Sequence, residues 1–165
     1  MSDESNVQDN QSAPNASAPG LPVMVHAQYI KDMSFENPNA SENLKPGLPS
    51  LEMDMNINID ADKVESTQTD RLFEVLLTVT ATAAREGKPV FVSEVVYGAL
   101  VSIQKDLPEK HIHPLLFTEI PQILYPFARH MIATMTQGGG YPPLMLNPVD
   151  FRGMYVARFA QKKSA

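Results

Sequence analysis

The chain has no cysteine, which excludes a disulfide scaffold and a thiolate metal site. Basic residues are scarce: 13 Lys and Arg stand against 19 Asp and Glu, a formal net charge of -6. A nucleic-acid binder normally carries a basic face for the phosphates, so that class of partner is excluded. No apolar run approaches the roughly 18 residues of a membrane span, so no direct membrane insertion is expected. The amino terminus lacks the basic and apolar regions of a signal peptide, its first Lys or Arg being Lys31. The phosphate-cradling pattern G-x-x-x-x-G-K-[ST] and the nucleophile elbow G-x-S-x-G are missing too. What is present fits one globular domain: 165 residues, 43% hydrophobic and 19% charged. A cytoplasmic, acidic protein without cofactor or metal is expected, and not an enzyme.

The composition changes along the chain. Met1 to Gly20 are mostly Ser, Asn, Gln, Ala and Pro, with Asp3, Glu4 and Asp9. Such a segment buries too little apolar area to offset its ordering entropy, so residues 1–22 are expected to form a disordered acidic tail. From Val23 apolar residues alternate: Val23, Val25, Ala27, Tyr29, Met33 and Phe35 are assigned to one strand face, interrupted by Lys31. A loop of about fourteen residues follows, containing Pro38, Pro46, Gly47 and Pro49, and loops of that length are often functional. The second strand is the cleanest, with Leu51, Met53, Met55, Ile57 and Ile59 set against Glu52, Asp54, Asn56, Asn58 and Asp60. That alternation puts one face on a core and one in water. A third strand runs from Leu72 to about Ala83 and a fourth from Val90 towards Ile103, joined by a turn over Arg85 to Pro89 in which Gly87 supplies a positive φ. Gly98 marks a bulge or a close backbone approach.

The carboxy-terminal part changes period. Leu116, Ile120, Ile123, Phe127, Met131 and Met135 recur every three or four residues, as in an amphipathic helix. Pro121 and Pro126 are expected to split or kink it, and Gly138 to Gly140 to end it. Asn147 is expected to cap a short last helix carrying Phe151, Met154, Tyr155 and Phe159, with Pro148 at its first position. Strands first and helices last make an α+β pattern with an antiparallel four-stranded sheet.

Catalytic chemistry finds little support. His111 and His113 have no third ligand at a recognisable spacing and are assigned to a solvated loop, and His130 is a packed or surface residue. Two features favour binding. Nine methionines, among them Met24, Met53 and Met55, suit irregular apolar partners. Asp32, Glu36 and Glu94 make an acidic set that suits a basic one, although core packing and a solvated face account for both features as well.

Four segments in order resemble the SecB family of bacterial protein-export chaperones: Tyr29 to Ala40 (YIKDMSFENPNA), Phe91 to Gly98 (FVSEVVYG), Ile123 to Met135 (ILYPFARHMIATM) and Tyr141 to Phe151 (YPPLMLNPVDF). The resemblance implies one chaperone domain over residues 23–162, a short tail over 163–165, and two carboxy-terminal helices packed on one face of the sheet. It implies a homotetramer, a dimer of dimers. It implies an ATP-independent chaperone that keeps unfolded precursor proteins translocation-competent and delivers them to the translocation ATPase SecA. Carried over by position, Phe35, Leu51, Met53, Met55, Leu144 and Leu146 would line the peptide-binding groove. Asp32, Glu36, Val92 and Glu94 would meet SecA, and Ser93, Val95 and Tyr97 would belong to the tetramer interface. Ser93 stands where the family commonly has cysteine and Tyr97 where it has glutamine, and the loop segment NLKPGLPS lacks a tryptophan found in well-known members. Two alternatives stand beside this reading: a SecB-like chaperone serving a toxin–antitoxin system, and a hot-dog-type thioesterase, in which a sheet also wraps a helix.

Overall fold

A computed structural model describes residues 20–159. The tail expected over residues 1–22 falls almost wholly outside them, and that over 163–165 wholly so. The elements are β1 (Val23–Glu36), α1 (Ala40–Asn43), β2 (Glu52–Lys63), β3 (Leu72–Arg85), β4 (Lys88–Ile103), α2 (Glu109–Gly138) and α3 (Phe151–Phe159). The four strands form one antiparallel sheet in the order β1-β4-β3-β2, and the expected α+β class holds. Glu86 (φ 51) and Gly87 (φ 75) turn the central hairpin between Arg85 and Lys88. Two successive positive φ values match the right-handed twist of the strands they join.

The core lies between this hairpin and α2. Val75, Leu77, Val79 and Ala81 of β3 and Val95, Ala99 and Val101 of β4 are completely buried on one sheet face. Against them α2 sets Ile112, Leu116, Ile120, Leu124, Ala128 and Ile132, a stripe recurring every fourth residue. The stripe differs from the one expected: Ile120 and Leu116 belong to it, whereas Phe127 is 46% exposed and Ile123, Met131 and Met135 flank the core. Nor is the helix split. It runs unbroken for 30 residues through Pro114, Pro121 and Pro126. Each proline removes one amide donor, and the continuous packed stripe holds the helix together across those gaps. Pro121 is itself fully buried. His111 and His113, expected in a loop, lie in the first turns of α2. The His113 ring stacks on Phe117 (centroids 4.6 Å) and its Nδ1 lies 2.9 Å from the Tyr155 hydroxyl, which ties α2 to α3.

Two further corrections concern registers. β1 shifts register between Val25 and Ala27 and again between Ile30 and Asp32. Each extra residue flips the strand, so Gln28 and Ile30 share the helix-side face with Met33 and Phe35, while Ala27 and Tyr29 turn to the outer face. The Tyr29 ring lies over Gly98, where an added Cβ would sit 2.8 Å from it, so Gly98 is a close approach as expected. The cap of α3 is Asp150, three residues beyond Asn147: its Oδ1 accepts from the Gly153 amide at 3.0 Å. The Asn147 carbonyl instead accepts from the Tyr125 hydroxyl at 2.5 Å.

Candidate functional site

Two sheet faces carry different chemistry. On the helix side, β2 is an edge strand, and Met53 and Met55 stand opposite Ala83 and Ala81 of β3. They face the same way as the core residues yet lie beyond the cover of the helices, at 42% and 40% exposure. Next to them is a small second core built from distant parts of the chain. Phe35 of β1, Phe91 of β4 and Tyr141 after α2 stack in series, with centroids 5.4 and 4.8 Å apart, and Leu51 packs on their cluster. The Phe35 ring lies against Gly139, so closely that a Cβ there would overlap it.

The connection between β1 and β2, residues 37–51, crosses this end of the sheet. Asn37 anchors its start: its Nδ2 donates to the Gly139 carbonyl (3.1 Å) and its Oδ1 accepts from the Tyr141 hydroxyl (3.0 Å). Burial raises the Tyr141 pKa above the ordinary phenol value, opposed by the nearby Arg85 charge and by the bond to Asn37. Leu44 packs over Gly140, and Leu44 and Leu48 are both about two-fifths exposed. The link after α2 then doubles back along that helix. The Leu144 amide donates to Thr136 Oγ1 (2.9 Å) and the Leu146 carbonyl accepts from Arg129 Nε (2.6 Å). Leu144 is half-buried against the main core, whereas Leu146 is buried in it at 6% exposure and makes a floor, not a lining. Further along β2, Ile57, Ile59, Phe117, Met154 and Phe159 line a cavity of about 440 Å³ beneath α3.

The outer face is acidic. Glu36 pairs with Val92, Ser34 with Glu94 and Asp32 with Val96 across β1 and β4, which puts Asp32, Glu36, Val92 and Glu94 on one patch. Glu94 Oε2 accepts from Thr80 Oγ1 at 2.9 Å. Glu74, on the same face, is neutralised by Lys31 at 3.0 Å and accepts from the Tyr29 hydroxyl at 2.5 Å. Those two donors hold its carboxyl below the usual range, and burial together with Glu74 pushes Tyr29 up to about 12. Among the described residues no ion pair engages Asp32, Glu36 or Glu94, and no group of three or more His, Cys, Asp or Glu could hold a metal. No helix of the described residues is long and apolar enough to cross a membrane.

Residues 15–162 match the family described as preprotein translocase subunit SecB. The chain belongs to the SecB family. Among its curated relatives, the protein-export protein SecB of Maricaulis maris is 42% identical over 156 residues, covering 94% of this chain and 88% of the relative. That of Bartonella quintana is 40% identical over 87% of this chain and 89% of the relative, and that of Bradyrhizobium diazoefficiens 38% over 95% and 94%. A solved SecB-like chaperone from Mycobacterium tuberculosis, in complex with a peptide from an antitoxin, superposes with a TM-score of 0.62. It covers 78% of this chain and 91% of that one at 18% identity, a likeness of fold.

Within this SecB fold the site residues expected from sequence, apart from Leu144 and Leu146 at the main core, fall into three places. Asp32, Glu36 and Glu94 come together with Val92 on the outer face, and Phe35, Leu51, Met53 and Met55 gather at the crossover end of the helix side. Ser93, Val95 and Tyr97 lie at neither: all three are buried on the helix side of β4, and Tyr97 stacks on Phe127 of α2 at 5.6 Å. Ser93 Oγ is fully buried with no hydrogen-bond partner. The sequence reading missed Phe91 and Tyr141, which complete the aromatic cluster, and Asn37, which accepts from the Tyr141 hydroxyl. Their signal was weak, because Phe91 sits one residue past a hairpin bulge and Tyr141 follows a glycine run.

Proposed function

We propose that this SecB-family chain is a protein-export chaperone that binds unfolded precursor polypeptides, keeps them translocation-competent and delivers them to SecA. The observation that carries this reading is the apolar strip on an edge strand: Met53 and Met55, two-fifths exposed, beside the aromatic cluster of Phe35, Phe91 and Tyr141. Unfolded clients share no sequence, so a binder must rely on apolar burial by side chains that repack, and methionine is suited to that. Burial alone supplies the free energy, about 25 cal/mol per Å², so holding requires no nucleotide.

We further propose a cytoplasmic homotetramer. Ile30, Met33 and Phe127 are each nearly half exposed around the β1 edge, which suits cover by a second copy. Ser93, Val95 and Tyr97 would then act on assembly through the seat of α2. Several grooves on one particle would also raise the effective concentration of a long client at each site. The unpaired patch of Asp32, Glu36 and Glu94 would receive a basic segment of SecA, with opposite charges speeding encounter.

The test is calorimetric titration with an unfolded exported precursor and with the same precursor folded. Binding of the unfolded form alone, without nucleotide, is expected. Binding of neither form by the well-folded protein refutes the holding function.

A further inference from the structure

We infer that Arg85 is the residue that positions the crossover segment for client binding, an inference that rests on the groove reading above. Arg85 ends β3 at the tip of the central hairpin, outside the segment it holds. Its Nε donates to the Pro49 carbonyl at 2.8 Å, and its Nη1 to the Asn43 carbonyl at 3.3 Å and the Asn43 Oδ1 at 3.4 Å. One guanidinium thus ties together both ends of Asn43–Pro49. The tied stretch carries Leu44 and Leu48, 43% and 40% exposed, and turns on Gly47 at φ 82. Among the described residues the segment's other side-chain hydrogen bonds to the rest of the fold come from Asn37, at its start, while Leu44 also packs over Gly140. Between Asn37 and β2, therefore, Arg85 fixes where the two leucines stand relative to Leu51, Met53 and the aromatic cluster.

The geometry requires arginine in particular. A planar guanidinium has donors in a fixed fork and so sets the separation of two acceptors, whereas an ammonium is a single point charge. The site needs both properties of the segment. Its apolar side chains must be presented to a client, and they must be ordered in advance, because ordering them on binding would subtract from affinity.

The test compares the full-length Arg85→Met and Arg85→Lys variants with the parent by backbone relaxation and by dissociation of an unfolded client. Met53→Asp serves as a reference for the groove itself. In Arg85→Met the order parameters of Lys45, Gly47 and Leu48 should fall from the rigid range, about 0.85, to below about 0.6, while those of β3 and β4 stay unchanged. Client dissociation should quicken about tenfold, the size of effect expected from losing a charge-assisted bond. Arg85→Lys should restore only part of both. Unchanged order in the segment overturns the inference. So does a loosened segment with unchanged client dissociation, if Met53→Asp has lost the client. If Met53→Asp binds the client as tightly as the parent, the groove reading fails first and takes the positioning role with it.

Discussion

Replacing Met53 and Met55 together by glutamine should weaken the binding of a short unfolded client by about seven- to fiftyfold. Glutamine keeps the length of the side chain, so the stem stays packed on Ala83 and Ala81 across the strand pair and only the outer end changes character. Fully burying a methionine is worth about 1.5–3 kcal/mol. With 42% and 40% of the two residues still exposed, a covering client would gain about 0.6–1.2 kcal/mol from each. Losing both gains amounts to about 1.2–2.4 kcal/mol, and each 1.4 kcal/mol is a factor of ten in Kd. Burying two amides without partners adds to the loss. The client should be a peptide that fills one groove, so that avidity does not multiply the change. Titration calorimetry reads the Kd, and thermal unfolding should show a Tm close to the parent's because the altered ends remain in water. A double variant that binds within twofold of the parent with an intact fold would refute the assignment of β2 as the client-facing strand.

Glu94→Lys should abolish SecA binding and leave client binding unchanged, since the two faces lie on opposite sides of the sheet; equal SecA affinity in a pull-down at low salt would remove the docking assignment. Ser93→Ala should leave stability unchanged or raise it by up to about 2 kcal/mol, because the lost hydroxyl is buried without a partner; a clear fall in the denaturant midpoint would contradict that account. Tyr29, pushed up to about 12, is stabilised in its protonated form by folding. Its contribution is complete below the unfolded value of about 10 and is lost as pH rises through 12. Tyr29→Phe should therefore flatten the alkaline fall in Tm between pH 10 and 12, and an identical fall in the variant would sink the argument.

Much of this fold is legible in the sequence where a period runs uninterrupted. β2 alternates without a break, and the observed register confirms its two faces. The hairpin turn and the glycine terminator of α2 are equally local. The readings fail where a partner element decides. The bulges of β1 are set by its register on β4, so strict alternation puts Ala27 and Tyr29 on the wrong face. Proline is a helix breaker in isolation, but a stripe from Ile112 to Ile132 packed on a sheet overrides it. Asp150 and Asn147 are both good caps by type, and only the bond to the Gly153 amide chooses between them. The candidate site divides in the same way. The acidic patch follows from two strands whose pairing brings like residues together, whereas the aromatic cluster draws on residues 35, 51, 91 and 141, and no local pattern links them.

The strand order β1-β4-β3-β2 also bears on how the chain acquires its shape. The first strand to be synthesised takes the last one as its partner, and Val23 pairs with Ile103 across about 80 residues of intervening chain. The hairpin of β3 and β4, by contrast, closes over two turn residues. Loop-closure entropy therefore favours the hairpin as the early structure, onto which β1 and β2 add at opposite edges. Until β4 has formed, Tyr29, Ile30 and Met33 have no strand to pair with. The chain itself thus passes through the condition its proposed clients are held in: an extended apolar segment waiting for a partner made later.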